Sequence, residues 1–288
     1  MHVFVTGASG WIGSAVVREL LDAGHEVTGL ARSDASAERV AALGAGVRRG
    51  ELADTDLLAE AARAADGVVH LGYHHDFSQM EEAAALDRSA LGALGAELEG
   101  KPFLFASGVI GVKTEYDEPD PALHPRTGNA SAALALAEHG VRVVALRFAP
   151  TVHGQGDHGF VATLAQAARE RGVSAYVGDG SNVWPAVHRL DAARLVRLSL
   201  DRAPAGAAVH AVAEEGVPTR EIAEALGRVM ELPVESVPAE RAAEHFGWIG
   251  RFFTLDAPVT STRTRELLGW EPTHPTLLED IESGYYTA

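Results

Sequence analysis

The sequence predicts an α/β fold with a doubly wound parallel sheet and a smaller, discontinuous C-terminal lobe. Two observations carry this prediction. Short apolar runs alternate with amphipathic stretches through the first half of the chain, and a glycine-rich turn separates the first run from the first amphipathic stretch. With 288 residues, 47% of them hydrophobic, the chain is long enough to bury one large core or two modest ones.

The alternation of strands and helices continues to residue 148. The predicted strands are residues 2–6, 26–31, 46–49, 67–71, 102–106 and 142–148. The predicted helices are residues 11–23, 35–43, 54–64, 80–99 and 128–139. Short polar joints link these elements into βαβ units, whose right-handed crossovers place helices on both faces of a parallel sheet. Ligands of such sheets bind beyond the carboxyl ends of the strands.

After residue 150 the pattern is less regular, with glycine- and aspartate-rich joints and frequent prolines, and it predicts the smaller lobe. A helix at 191–200 and a strand near 208–212 are expected to return to the main sheet. The expected domains are therefore residues 1–150 with 188–213, and a substrate lobe made of residues 151–187 and 214–288.

Composition excludes several classes of function. A net charge of −16 disfavours nucleic acid and anionic membranes as partners, because both are held by basic patches. The sequence contains no cysteine, which excludes disulfides, thiolate nucleophiles and cysteine-bound metals. The first residues already form a predicted strand, and no apolar run reaches the length of a membrane span, so we expect a cytoplasmic protein with a small-molecule partner.

The turn after the first strand reads Gly7-Ala8-Ser9-Gly10-Trp11-Ile12-Gly13. Glycines at this spacing allow a tight turn, let backbone N–H groups approach a pyrophosphate, and bring the following helix close to the strand. The positive end of the helix dipole then faces the phosphates. In its strand-turn-helix context the motif predicts a Rossmann-type dinucleotide-binding domain at residues 1–150.

The end of the second strand indicates which dinucleotide is bound. Enzymes that use NAD place a carboxylate there for the ribose hydroxyls, whereas those that use NADP place a guanidinium on the 2′-phosphate. Here the strand is followed by Arg32 and Ser33, with no acid at position 31. Asp34 facing the ribose is the alternative. The sequence therefore favours NADP(H) over NAD(H).

Several motifs beyond the glycine turn resemble those of one large family. They are residues 6–13, 68–72, 103–107, 146–147 with 152–154, 178–180 followed by 187–191, and 267–272. In order and spacing the chain resembles, over nearly its whole length, the extended short-chain dehydrogenase/reductase (epimerase/dehydratase) family. The resemblance implies a Rossmann domain, a C-terminal substrate lobe, and a homodimer packed through the two helices beside the fifth strand.

The resemblance also implies cofactor contacts, which we divide by the part of the dinucleotide. Pyrophosphate contacts are expected from Gly7, Ser9, Gly10, Trp11 and Ile12, with Gly13 completing the turn; adenine contacts from Glu51 and Leu52; ribose contacts from Leu71, Gly72 and Tyr73; and nicotinamide contacts from Pro150, Val152 and His153. For Leu52, Leu71 and Val152, packing in the core is the alternative interpretation.

One departure from the family is decisive for mechanism. Its members usually carry a Tyr-x-x-x-Lys dyad, in which the lysine lowers the pKa of the catalytic tyrosine. The only lysines here are Lys101 and Lys113, and neither follows a tyrosine by four residues. In the family the dyad stands at the position of residues 123–131, and this segment contains neither a tyrosine nor a lysine. His124 and Arg126 are a candidate replacement pair, although they are two residues apart.

Other groups must then handle the proton. Histidine can donate or accept a proton near neutrality, and Tyr73 is the tyrosine expected at the cofactor's edge. Ser107 is the candidate to polarise a substrate carbonyl, although by alignment Gly108 fills the usual serine position. The expected catalytic residues are therefore Ser107, His124, Arg126 and Tyr73. His74, His75, Asp76 and Glu81 lack a recognisable ligand spacing, so no metal is expected.

The sequence thus predicts an NADP-dependent oxidoreductase that transfers hydride between nicotinamide and a carbonyl or alcohol of a small organic substrate. Two other hypotheses stay open. One is a nucleotide-binding sensor or partner-binding protein without redox activity, which the missing dyad favours. The other is an epimerase or dehydratase that retains its cofactor through the reaction.

Overall fold

The structure, a computed structural model, describes residues 1–74, 79–123 and 125–287. Two compact units emerge. The first comprises Met1–Phe148, Ala192–His210 and Thr262–Trp270, and the second comprises Ala149–Asp191, Ala211–Ser261 and Glu271–Ala288. Residues 262–270, expected in the substrate lobe, belong to the first unit. Across the described ranges, every helix is too short or too polar to span a bilayer.

Strands and helices are numbered in chain order. The strands are β1 His2–Thr6, β2 Glu26–Ala31, β3 Gly46–Arg49, β4 Gly67–His70, β5 Pro102–Gly108, β6 Arg142–Phe148, β7 Thr151–His153, β8 Ser174–Val177, β9 Val183–His188, β10 Ala207–Ala211, β11 Glu214–Pro218 and β12 Val234–Val237. The helices are α1 Trp11–Asp22, α2 Asp34–Ala42, α3 Thr55–Ala64, α4 Met80–Gly95, α5 Pro125–Leu134, α6 Phe160–Arg171, α7 Arg189–Arg202, α8 Thr219–Met230, α9 Ala242–Phe246, α10 Gly250–Phe253, α11 Thr262–Leu268 and α12 Leu277–Glu282.

The first unit is built on a seven-stranded sheet in the order β10-β6-β5-β4-β1-β2-β3. Its pairs from β6 to β3 are all parallel. Strand order reverses at β1, which lies between β4 and β2, and in open α/β sheets such a switch point opens a crevice for ligands. The doubly wound Rossmann-type fold predicted from the sequence is confirmed.

The core of the first unit is formed by apolar side chains of the strands and of α3, α4 and α5. Phe4, Phe103, Phe105 and Leu94 are among its fully buried members. Because β1, β4 and β5 are covered on both faces, their sequences are continuous apolar runs. A polar side chain inside such a run is therefore conspicuous.

The second unit contains two small sheets, one in the order β11-β9-β7 and one formed by β12 and β8. Its own core surrounds Trp184, Phe253 and Ile281. Trp184 packs edge-on against Phe253, with ring centroids 5.1 Å apart. The lobe is thus a folded unit with its own core.

Two helices, α4 and α5, have ends that differ from the predicted ones by three residues or more. The sequence predicts a helix at 128–139, but α5 begins at Pro125 and ends at Leu134, and a 3₁₀ segment, Ala135–His139, follows. Proline suits the first turn of a helix, where its missing N–H is not needed. The earlier start places Arg126 on α5. The helix predicted at 80–99 ends at Gly95, where a Cβ would collide with the side chain of Leu136.

Candidate cofactor and proton-transfer site

The glycine turn connects β1 to α1 at the switch point of the sheet. Gly7 has a φ of +68°, and a Cβ there would lie 2.7 Å from the backbone nitrogen of Gly72. A Cβ on Gly13 would collide with the Gly7 carbonyl oxygen. Glycine at these two positions therefore lets the turn pack against the segment after β4 and lets α1 start close to it.

The first turn of α1 carries no negative side chain. Gly10 is the N-cap and, as a glycine, makes no side-chain hydrogen bond to the helix, and none of the first-turn residues is acidic. Gly10 is exposed, while Gly7, Ser9, Trp11 and Ile12 are half-buried, so the turn reaches the surface. Backbone N–H groups at a helix N-terminus suit a pyrophosphate, and these residues fit the expected dinucleotide.

A buried chain of hydrogen bonds starts directly beneath this turn. The Gly72 N–H donates to Thr6 Oγ1 at 3.0 Å, and Thr6 Oγ1 lies 2.8 Å from His70 Nδ1. His70 Nε2 lies 3.4 Å from an oxygen of Asp87 on α4. Thr6, His70 and Asp87 are all buried. The chain joins the cofactor turn to the middle of α4.

Asn129 on α5 connects this chain to the neighbouring helix. Its Nδ2 donates to Asp87 Oδ2 at 2.9 Å and to the Ala84 carbonyl at 2.7 Å. Its Oδ1 accepts from Arg88 Nε at 2.9 Å. These partners satisfy both ends of the buried amide and set its orientation.

Arg126 and Tyr73, two of the expected catalytic residues, are brought together. The guanidinium carbon of Arg126 lies 3.9 Å from the centroid of the Tyr73 ring, within the range of a cation–π contact. Arg126 Nη2 donates to the Ala106 carbonyl at 2.9 Å, and its Nε lies 4.0 Å from Asp87 Oδ2. Arg126 is thus held by the end of β5 and by a buried carboxylate while it covers the phenol ring.

Burial and charge act in opposite directions on the ionisable groups here. Burial raises the pKa of the Tyr73 phenol, and the positive charge of Arg126 only partly offsets it. Burial also disfavours ionised Asp87, but the hydrogen bond from His70 and the charge of Arg126 outweigh it and lower its pKa. At neutral pH Tyr73 is therefore a protonated donor beside an Arg126–Asp87 ion pair.

The remaining first-unit candidates have distinct environments. Ser107 is half-buried near the end of β5, directly after the residue that anchors Arg126. A Cβ on Gly72 would lie 3.2 Å from Leu52 Cδ2, and a Cβ on Gly7 would lie 2.7 Å from the Leu71 carbonyl carbon. Contact of Leu52 with adenine and of Leu71 with ribose stays a prediction. Glu51 is exposed, and its N–H donates to Asp54. His124 lies outside the described residues.

Arginine residues stand at the carboxyl ends of both β2 and β3. Arg32 is exposed after β2, and Arg49 lies opposite Ala31 in the β2–β3 register. Asp34 is held by Arg49, with Nη2 and Oδ1 3.0 Å apart. The Ser33 hydroxyl caps α2 by accepting from the Ser36 N–H at 3.2 Å. Asp34 and Ser33 therefore both have partners within the protein.

Pro150, Val152 and His153 lie in the second unit: Val152 and His153 belong to β7, and Pro150 directly precedes it. His153 is fully buried. Its Nδ1 lies 2.6 Å from Asp280 Oδ2 and its Nε2 lies 3.8 Å from Glu214 Oε2. Both ring nitrogens thus face carboxylates of this unit. Contact of these three residues with a cofactor stays a prediction.

The second unit also holds the cluster of possible metal ligands found among the described residues, His188, Asp191 and His274. The rings of His188 and His274 are stacked, with centroids 4.8 Å apart and planes inclined by 7°. Lone pairs of two parallel rings lie in parallel planes and do not converge on one ion. His274 Nδ1 instead pairs with Asp191 Oδ1 at 2.9 Å. Of the four residues considered as metal ligands from the sequence, His75 and Asp76 lie outside the described residues, and His74 and Glu81 are exposed.

Sequence reasoning missed the residues beneath the site, namely Thr6, His70, Asp87 and Asn129. The signal that could have found them is polarity in an apolar context. Thr6 and His70 each end an apolar strand run, and Asp87 stands among alanines and leucines of α4. A polar residue on a buried face needs a partner, so each of these positions indicates a buried hydrogen bond.

The fold and the glycine turn define an NAD-binding protein of the Rossmann type. The chain belongs to the NAD dependent epimerase/dehydratase family, whose sequence model matches residues 3–212. This confirms the resemblance drawn from the sequence motifs.

Three relatives illustrate the range of that family. The chain is 46% identical to an uncharacterized protein of Schizosaccharomyces pombe, over 99% of this chain and 100% of that protein. It is 28% identical to a 2-alkyl-3-oxoalkanoate reductase of Stenotrophomonas maltophilia, over 63% of this chain and 60% of that protein. The dTDP-glucose 4,6-dehydratase of Streptomyces venezuelae, solved with NAD bound, superposes with a TM-score of 0.75 at 21% identity, over 99% of this chain and 96% of that one.

Proposed function

We propose that this protein is an NADP-dependent reductase acting on a carbonyl group of a small organic substrate. The observation that carries the proposal is the contact between Tyr73 and Arg126. Tyr73 directly follows Gly72, whose backbone packs against Gly7 of the glycine turn at the switch point of the sheet. A protonated phenol at that position is a proton donor for a carbonyl oxygen. The bound nicotinamide supplies the hydride.

The residues of the first unit have separate tasks in this reaction. The turn from Gly7 to Ile12 binds the pyrophosphate at the start of α1. Tyr73 donates its proton to the substrate oxygen as the carbonyl carbon is reduced. Arg126 stabilises the phenolate that remains, because its positive charge lies against the ring. Ser107, at the end of β5, orients the carbonyl.

The preference for NADP is supported by Arg32 and Arg49. Both residues stand at the carboxyl ends of adjacent strands, where the adenosine ribose of a Rossmann cofactor is bound. Asp34, the carboxylate available for ribose hydroxyls, is paired with Arg49. Two arginines suit a 2′-phosphate better than a bare diol.

The test is NADPH oxidation by the purified protein with a panel of ketones, aldehydes and 3-oxo acids. The 3-oxo acids are included because one relative is a 2-alkyl-3-oxoalkanoate reductase. We expect turnover with at least one member of the panel and little with NADH. Tight NADPH binding without turnover on any substrate would instead support the second candidate, a nucleotide-binding protein without redox activity, which the absence of a Tyr-x-x-x-Lys sequence favours.

A further inference from the structure

The buried chain beneath Tyr73 and Arg126 links the cofactor turn to the proposed proton donor. It runs from Gly72 through Thr6 and His70 to Asp87, and then to Arg126. Every side chain in its middle is buried among the apolar residues of the sheet and α4. Buried polar groups need partners: hydrogen bonds link Gly72, Thr6, His70 and Asp87, and an ion pair at 4.0 Å links Asp87 to Arg126.

The Asp87 carboxylate determines which nitrogen of His70 carries a proton. An ionised carboxylate only accepts hydrogen bonds, so His70 Nε2, which faces Asp87 Oδ1, is the donor of this pair. With the proton of a neutral ring on Nε2, Nδ1 accepts from the Thr6 hydroxyl, whose oxygen also accepts from the Gly72 N–H. His70 is thereby oriented as a donor to Asp87.

Asp87 has three partners that converge on its carboxylate from different elements. His70 approaches one oxygen from β4, and Asn129 donates to the other from α5. Arg126 lies 4.0 Å from the oxygen that Asn129 also contacts. The Arg126 side chain is only 22% exposed, and a largely shielded guanidinium needs a counter-charge, which Asp87 supplies.

We propose that Asp87 is the positioning residue of the Tyr73–Arg126 pair, held in place by His70 and Asn129. It does not touch the substrate: it keeps the guanidinium against the phenol ring, and the inference rests on the proposed reductase function. Because the same chain reaches the Gly72 backbone, the position of Arg126 is tied to the segment that borders the cofactor turn.

A double-mutant cycle tests whether Asp87 acts through Arg126. The variants are Asp87→Asn, Arg126→Gln and the double variant, measured for kcat and for NADPH affinity. We expect each single variant to lower kcat at least tenfold while NADPH affinity changes by less than twofold. The double variant should be no slower than Arg126→Gln alone. Multiplicative losses would overturn the proposal, as would Asp87→Asn with unchanged kcat.

Two further variants separate positioning from general destabilisation. Asn129→Ser removes a hydrogen bond to Asp87 but leaves both charges, and we expect kcat to fall two- to fivefold with NADPH affinity retained. Glu115→Gln is the matched control, since Glu115 is a buried carboxylate of the same unit that accepts from the N–H and hydroxyl of Thr264, both at 2.7 Å. A loss of kcat in Glu115→Gln equal to that in Asp87→Asn would contradict the proposal.

A structural measurement distinguishes failure of this inference from failure of the proposed function. In a crystal structure of Asp87→Asn, we expect the Arg126 guanidinium to have left the Tyr73 ring. If it stays on the ring, Asp87 does not position it, whatever the activity. If it leaves but the wild-type protein reduces no carbonyl, the reductase proposal fails and the ion pair is structural.

Discussion

The guanidinium carbon of Arg126 lies 3.9 Å from the centroid of the Tyr73 ring. The chain has no tyrosine four residues before a lysine, so this pair is the candidate replacement for the usual dyad. The two residues come from different parts of the sequence, the segment after β4 and the first turn of α5. In its effect on the phenol the pair differs from a Tyr–Lys dyad, because burial outweighs the arginine and the pKa of Tyr73 lies above its ordinary value. Such a phenol is suited to donate a proton in reduction.

Replacing the phenol should therefore abolish most of the activity. Tyr73→Phe keeps the ring beneath Arg126 and removes only the hydroxyl, so we expect kcat to fall about 100-fold, as is typical for loss of a general acid. NADPH affinity should not change. The measurement is steady-state NADPH oxidation, together with a binding titration.

The chain offers a matched control in Tyr116. The guanidinium carbon of Arg263 lies 4.5 Å from the centroid of its ring. Tyr116 is exposed, however, and neither residue belongs to the buried chain that runs from Gly72 to Arg126. Tyr116→Phe should retain wild-type kcat. Equal losses in the two variants would show that Tyr73 has no special role.

Cofactor preference should depend on Arg32 and Arg49. Replacing either by alanine removes a guanidinium from the expected site of the 2′-phosphate, and we expect NADPH affinity to fall about tenfold while NADH affinity stays constant. Arg39→Ala, an exposed change on α2, is the control. Isothermal titration with both nucleotides gives the result, and a parallel loss of NADH affinity would argue against a phosphate contact.

The Rossmann half could be predicted from the sequence because its signals are local. The glycine spacing at 7, 10 and 13 and the alternation of apolar runs are properties of short segments, and the structure has strands and helices in those places. From the sequence, Tyr73 and Arg126 could each be proposed as a catalytic residue, but the contact between them could not be predicted. The sequence pattern predicts the start of α5 three residues late, so it does not indicate that Arg126 lies on the helix.

The network beneath the site is not local, which is why the sequence did not reveal it. Thr6 and His70 are 64 residues apart, and Asp87 and Asn129 are 42 apart. Their contacts depend on the order of strands in the sheet and on which face of α4 meets α5. No short-range pattern specifies either property.

The conformation and packing of Gly7 make a sharp prediction for stability. In Gly7→Ala the new Cβ would meet the backbone of Leu71 and Gly72 at 2.7 Å in addition to the strain of a positive φ. Gly24 also has a positive φ, +84°, but nothing lies within 4 Å of the place that a Cβ would take, so Gly24→Ala isolates the strain. We expect a loss of about 1 kcal/mol in the free energy of unfolding for Gly24→Ala and about 3 kcal/mol or more for Gly7→Ala.

Chemical denaturation of both variants measures this difference. Gly7→Ala should also lose NADPH binding, because relief of the contact must move the turn away from the segment after β4. If the two variants were equally stable, the close approach of Gly7 to Leu71 and Gly72 would not matter energetically.

Buried His188 should make the stability of the second unit depend on pH. Burial is the main reason that the pKa of His188 falls to about 4, and the nearby Asp280 carboxylate only partly opposes it. A histidine in an unfolded chain has a pKa of about 6.5. Below pH 6.5 the unfolded state therefore takes up a proton that folded His188 does not, so the free energy of unfolding should fall between about pH 6.5 and pH 4. Above about pH 6.5 both states leave His188 neutral, so its burial no longer lowers the free energy of unfolding.

The variant His188→Asn isolates this contribution, because its side-chain oxygen can replace Nδ1 as the acceptor for the Leu190 N–H. Between pH 7.5 and pH 5 the wild-type protein should lose on the order of 1 to 2 kcal/mol more stability than the variant. His139→Asn, at an exposed position, should behave like the wild type. The comparison is made by urea denaturation at both pH values. An identical pH dependence in wild type and His188→Asn would mean that His188 titrates alike in the folded and unfolded states, and that its burial does not keep it neutral.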